Sequence, residues 1–136
     1  MAFPIRTILV IDDEAQERRR MRHALQSASY RIIESRDFAE AMALFQRYQT
    51  EIDLILVDVS LPGRNGCELA AAAVALKPSV KVLFMSGPAG AQVCRFYGIS
   101  GTDVHFLKKP FSSPELLKRV TRVLEPGEPM TGVAAG

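Results

Sequence analysis

The sequence predicts a doubly wound α/β fold, a five-stranded parallel sheet in a three-layer sandwich with helices on both faces. Short apolar runs alternate with helical segments from end to end. The clearest of these runs are continuously aliphatic rather than alternating, which marks strands covered on both faces. Each is followed by a segment long enough for the crossover that parallel strands require.

The first strand, residues 8–11, is Ile-Leu-Val-Ile and runs straight into Asp12-Asp13-Glu14. A polar helix over about residues 15–27 offers Met21, Leu25 and Ala28 as an inward stripe. Residues 30–34 form a short second strand. Asp37 and Glu40 make an acidic capping box before a helix reaching about Tyr48. On it Ala41, Leu44, Phe45 and Tyr48 fall at the spacing of a buried face. The third strand, 52–57, is apolar apart from Asp53 and ends in Asp58. Pro62, Gly63 and Gly66 mark a loop, and an Ala-rich helix over 68–76 is stopped by Pro78. Strand four, 80–85, ends in Ser86. Four glycines and Pro88 leave any helix between 87 and 101 weakly specified. Strand five, 104–107, ends in Lys108-Lys109-Pro110. Ser112-Ser113-Pro114-Glu115 opens a last helix to about Leu124; Ser112 suits a capping box and Ser113 suits Pro at the first helical position. One domain, 1–124, and a frayed tail, 125–136, follow.

Composition narrows the function. The chain has 136 residues, 48% hydrophobic and 24% charged, the balance of a soluble globular protein. A net charge of +2 does not argue for nucleic acid. The basic run Arg18-Arg19-Arg20 with Arg22 is spread around a helix and reads as a solvated flank. Cys67 and Cys94 lack zinc-site spacing and histidine company, and reduced thiols are expected. The start lacks a signal-peptide core, and no apolar run approaches the roughly 18–20 residues needed to span a bilayer. A cytoplasmic location, with no membrane partner, is expected.

Polar residues stand at the strand ends. Asp12 and Asp13 close strand one, Asp58 closes strand three, Ser86 closes strand four and Lys109 follows strand five. In open α/β sheets ligands bind beyond the carboxyl ends of the strands, so these groups should converge. One such residue is ordinary loop decoration; an acid pair, an acid, a hydroxyl and a lysine on four strand ends form a site. Clustered carboxylates repel one another unless a cation joins them. Mg²⁺ suits one or two carboxylates plus a phosphate oxygen. A remaining carboxylate could then act as a nucleophile, with Lys109 and Ser86 answering the phosphoryl oxygens.

The segments Ile11-Asp12-Asp13-Glu14, Asp58-x-x-Leu61-Pro62-x-x-x-Gly66, Met85-Ser86-Gly87 and Phe106-Leu107-Lys108-Lys109-Pro110-Phe111 resemble the signatures of bacterial response-regulator receivers. The resemblance runs in register from about residue 7 to 124. It implies a flavodoxin-like sheet of order 2-1-3-4-5. It implies Asp58 as phosphoacceptor, and Mg²⁺ held by Asp13, Asp58 and the backbone carbonyl of Ser60, with Asp12 acting through water. It also implies Ser86 as the switch hydroxyl, Lys109 as the phosphoryl-binding lysine, a cis bond before Pro110, and Phe106 at the aromatic switch position. Core packing explains Phe106 equally well. Lys108 reads as a solvated neighbour. Ser60 and Pro88 fall at variable positions that modulate acyl-phosphate hydrolysis in the family.

The implied partners are a histidine kinase or phosphotransfer protein upstream and a protein partner downstream. A phosphorylation-dependent dimer is compatible with the family, and no direct nucleic-acid binding is expected of this chain. The family usually places a regular helix between strands four and five, where Gly87, Gly90, Gly98 and Gly101 would each cost about 1 kcal/mol in a helix interior. A mobile helix with an altered output surface is expected there. The stretch Cys94-Arg95-Phe96-Tyr97-Gly98-Ile99 resembles receivers attached to hybrid histidine kinases. Two other readings compete: a constitutive binding module with a relic pocket, and a phosphatase using Asp58. The intact acid, hydroxyl and lysine set opposes the first. Ser60, where such a phosphatase would want a second acid, opposes the second.

Overall fold

The computed structural model describes residues 5–87 and 105–125. In chain order these form β1 (Thr7–Ile11), α1 (Ala15–Ser27), β2 (Arg31–Ser35), α2 (Phe38–Arg47), β3 (Ile52–Asp58), α3 (Gly66–Leu76), β4 (Lys81–Ser86), β5 (His105–Lys108) and α4 (Ser113–Leu124). All strand pairs are parallel, and the sheet order is β2-β1-β3-β4-β5. The expected fold class and strand order are therefore observed. The expected weak helix within 87–101, Pro88, the hybrid-kinase-like stretch and the tail beyond Glu125 lie outside the described residues.

Strand side chains alternate between faces, and the core divides accordingly. Leu9, Ile11, Ile55, Val57 and Phe84 pack with Ala41, Phe45, Leu69 and Ala73 of α2 and α3. Ile8, Val10, Leu54, Leu56, Leu83, Met85 and Leu107 pack on the other face with Met21, Leu25, Leu116 and Val120 of α1 and α4. Phe45 is fully buried, a burial that contributes about 2–3 kcal/mol. Leu44 and Tyr48 pack against its cluster half-buried, as the helical spacing predicts. No helix among the described residues is long and apolar enough to cross a membrane.

Helix starts follow local chemistry. The Asp37 carboxylate accepts the Glu40 amide, but the Glu40 side chain takes the Arg36 amide, one residue before the expected capping-box partner. Ser112 and Glu115 form a complete box, which settles the start of α4 in favour of Ser112 as its cap. Asn65 caps α3 by accepting the Glu68 amide, so α3 begins two residues before its expected start. Ala28, expected in the inward stripe, is exposed: Ser29 takes a positive φ of 72° and ends α1 before Ala28 can turn inward. Cys67, expected as a reduced thiol, is disulfide-bonded. Pairing depends on the Cα separation, which spacing in sequence does not reveal.

Chain direction across the sheet reverses between β1 and β3, so a crevice opens at their carboxyl ends.

Candidate functional site

The site is assembled from the first residues past the strands. β1 is fully buried to Ile11, and the chain emerges through Asp12, itself fully buried, to exposed Asp13. One register over, β3 ends in buried Asp58. Carboxylate oxygens of Asp12, Asp13 and Asp58 all lie within 4.8 Å of one another, a group able to hold a metal ion.

Lys109 arrives from β5. Its amide donates to the Ser86 carbonyl at 2.9 Å, which fixes its main chain to the end of β4. Its ammonium reaches across to Asp58 Oδ2 at 2.6 Å and Asp12 Oδ2 at 3.4 Å. Lys108 is exposed, and the Lys109–Pro110 peptide bond is cis. Ser86 is buried beside Met85, whose carbonyl accepts the Val59 amide.

The second oxygen of Asp58 is held locally, because Oδ1 accepts the Ser60 amide at 2.8 Å. The loop then bends back through Gly63, at φ +82°, and the Gly66 amide donates to the Val59 carbonyl. A Cβ at Gly66 would stand 2.3 Å from the Asp58 carbonyl oxygen. Only glycine permits that approach, so Gly66 sets where the Asp58 main chain lies. Across the loop, the Arg64 guanidinium stacks on the Phe38 ring at 3.8 Å and pairs with Glu68.

Electrostatically, one lysine answers three carboxylates among the described residues. Burial raises the Asp12 carboxyl pKa above its ordinary value, assisted by the Asp58 charge and opposed by the Glu14 amide and by Lys109. Burial works against the charge on Lys109, but the hydrogen bond and charge of Asp58, with the charge of Asp12, outweigh it and raise its pKa. A cluster with surplus negative charge, open to solvent at Asp13, suits a divalent oxygen-loving cation.

The structure thus brings Asp12, Asp13, Asp58 and Lys109 into one cluster, with Ser86 and Ser60 on adjoining backbone. Phe106 stands apart: it is half-buried, stacks on Phe84 at 5.4 Å, and its carbonyl accepts a hydrogen bond from Arg119. Sequence reasoning missed Arg18. It belongs to the run read as a solvated flank, yet its guanidinium donates to the Asp12 carbonyl at 2.7 Å and pairs with Glu34. Arg20 departs from that reading too, lying over the Phe111 ring at 5.0 Å.

Comparison with known proteins identifies the family and the fold. The family model described as "Response regulator receiver domain" matches residues 8–121. The transcriptional regulatory protein ResD of Bacillus subtilis is 35% identical over 118 residues, covering 86% of this chain and 47% of that protein. The sensor kinase CckA of Brucella abortus is 31% identical over 119 residues, 88% of this chain and 12% of the kinase. Among solved structures, the chemotaxis protein CheY4 of Vibrio cholerae superimposes with a TM-score of 0.76 at 28% identity, covering 89% of this chain and all of CheY4. The chain spans about half the length of ResD.

Proposed function

Since the chain belongs to the response regulator receiver family, we propose that it accepts a phosphoryl group on Asp58 in a Mg²⁺-dependent reaction and signals the change to a protein partner. The donor is the phosphohistidine of a histidine kinase or phosphotransfer protein. The observation that carries this reading is the pairing of Asp58 with Lys109 at 2.6 Å inside a group of three carboxylates.

In this reading an Asp58 carboxylate oxygen attacks phosphorus, an acyl–phosphate O–P bond forms, and the P–N bond to the donor imidazole breaks. The imidazole keeps the electron pair and takes a proton. The Ser60 amide and Lys109 hold the two Asp58 oxygens and fix the direction of attack. Lys109 then moves its charge onto the phosphoryl oxygens, and Ser86 at the end of β4 supplies a hydroxyl to them as the switch residue. Phe106, stacked on Phe84, stands at the aromatic switch position, where core packing explains it equally well. Asp13, Asp58 and the Ser60 carbonyl would hold Mg²⁺, with Asp12 acting through water; the cation supplies charge neutralisation between carboxylate and phosphoryl group. Positioning and charge stabilisation account for most of such a transfer.

The test is intact-mass spectrometry after incubation with a small-molecule phosphodonor, with and without Mg²⁺. The expected result is a Mg²⁺-dependent gain of one phosphoryl group that is absent in Asp58→Asn. Mg²⁺ binding without any phosphoryl gain, and no stable beryllofluoride complex, would favour a phosphorylation-independent binding module instead.

A further inference from the structure

We infer that Arg18 is a positioning residue for the Asp12–Asp13 pair, and through it for the cation that the phosphoacceptor reading requires. The inference rests on that reading. Arg18 is the fourth residue of α1, and helical side chains lean toward the helix N-terminus. From there its guanidinium reaches back to the end of β1 and donates to the Asp12 carbonyl at 2.7 Å. Its Nε faces Glu34 at 3.3 Å, and Arg22 holds the other oxygen of Glu34 at 2.6 Å. Glu34 lies on β2, so the arginine is aimed from one side by a strand and from the other by its own helix.

The bond falls where a small rotation matters. On the far side of the Asp12 residue, its amide donates to the Ser35 carbonyl at 3.2 Å, while its Oδ1 accepts the Glu14 amide at 2.9 Å. The peptide linking Asp12 to Asp13 is planar. Fixing its carbonyl with Arg18 therefore fixes the orientation from which exposed Asp13 leaves the chain. Asp13 is the member of the carboxylate group with the least support, since Asp12 and Asp58 are buried and hydrogen-bonded.

Charge and positioning predict opposite signs here. Arg18 is a cation near a cation site, so losing its charge should tighten Mg²⁺ binding if electrostatics alone acts. Losing its hold on the peptide should weaken binding, by about tenfold on the scale of residues that orient metal ligands.

The experiment compares the full chain with Arg18→Met and Arg22→Met, both of which keep an apolar stem. Mg²⁺ affinity is measured by calorimetric titration and stability by urea unfolding. The expected result is about tenfold weaker Mg²⁺ binding in Arg18→Met, unchanged affinity in Arg22→Met, and comparable urea midpoints for the two. Unchanged or tighter binding in Arg18→Met overturns the inference, as does equal weakening in both variants. Should Arg18→Met fail to fold, Arg18→Leu is measured in its place; it has no donor for the Asp12 carbonyl, and wild-type affinity there overturns the inference equally. Absence of Mg²⁺ binding in the unaltered chain instead removes the phosphoacceptor reading and the inference with it.

Discussion

At the amino end of the sheet, the Asp53 carboxylate accepts the Thr7 amide at 2.9 Å, and the Lys77 ammonium donates to the Gln49 and Ile52 carbonyls at 2.7 and 2.6 Å. At the carboxyl end, Asp12, Asp13, Asp58 and Lys109 face one another, three acids to one base. Both ends take charged groups partly or wholly out of water, and both depend on hydrogen bonds to do so. The amino end assigns its charges to backbone groups, which tie α3 to the start of β3 and β1 to β3. The carboxyl end leaves negative charge in excess. A charge answered by backbone holds a fold; a cluster of like charges that the fold tolerates without balancing is a place for an added cation or reacting group.

The largest break in this contrast is expected from Gly66→Ala. Its new Cβ would meet the Asp58 carbonyl oxygen at 2.3 Å, so the Asp58 main chain or the start of α3 must shift. Urea unfolding should show a loss of about 3 kcal/mol, and phosphoryl uptake should fall with it because the acceptor itself has moved. Lys77→Met tests the other end. It removes two charge-assisted hydrogen bonds to carbonyls, for a loss of about 2 kcal/mol. Mg²⁺ affinity and phosphoryl uptake should stay at wild-type levels. A Lys77→Met variant that lost phosphoryl uptake while folded would mean the two ends are coupled, and the contrast would fail.

Much of the carboxyl end was legible because its residues interrupt apolar runs. A carboxylate directly after Ile8-Leu9-Val10-Ile11 ends an apolar run with a group that needs a polar partner, and the same change recurs at Asp58 and Ser86. Parallel strands then place every such break at one edge. The order of the strands came from the resemblance, since apolar runs alone do not say which strand neighbours which. Arg18 was not legible: it sits among Arg19, Arg20 and Arg22, and only the packing of α1 against β2 brings one of the four under the Asp12 carbonyl. Gly66 was visible as a motif position, but its reason, a contact to Asp58 backbone, exists only in three dimensions. Ala28 had the right spacing for burial and was lost to a helix end set by Ser29.

The excess of negative charge at the carboxyl end should itself have a measurable cost. Asp12→Asn keeps an oxygen for the Glu14 amide and removes one buried charge from the group. The variant is expected to be more stable than wild type by about 1 kcal/mol at neutral pH, with weakened Mg²⁺ binding.

The pH dependence sharpens this further and carries the smallest effect. Burial raises the Asp12 pKa in the folded chain above its ordinary, unfolded value. The folded state therefore holds the Asp12 proton more tightly than the unfolded state does. Stability from that proton is fully present below the unfolded pKa and is lost as pH rises through the folded one. In Asp12→Asn this loss is absent, so the advantage of the variant over wild type should grow as pH rises from 3 through the raised folded value, then level off. Paired urea titrations across the acid range measure the difference directly. An advantage that shrank with rising pH would mean that Lys109 more than compensates the buried charge, and that the carboxyl end is balanced after all.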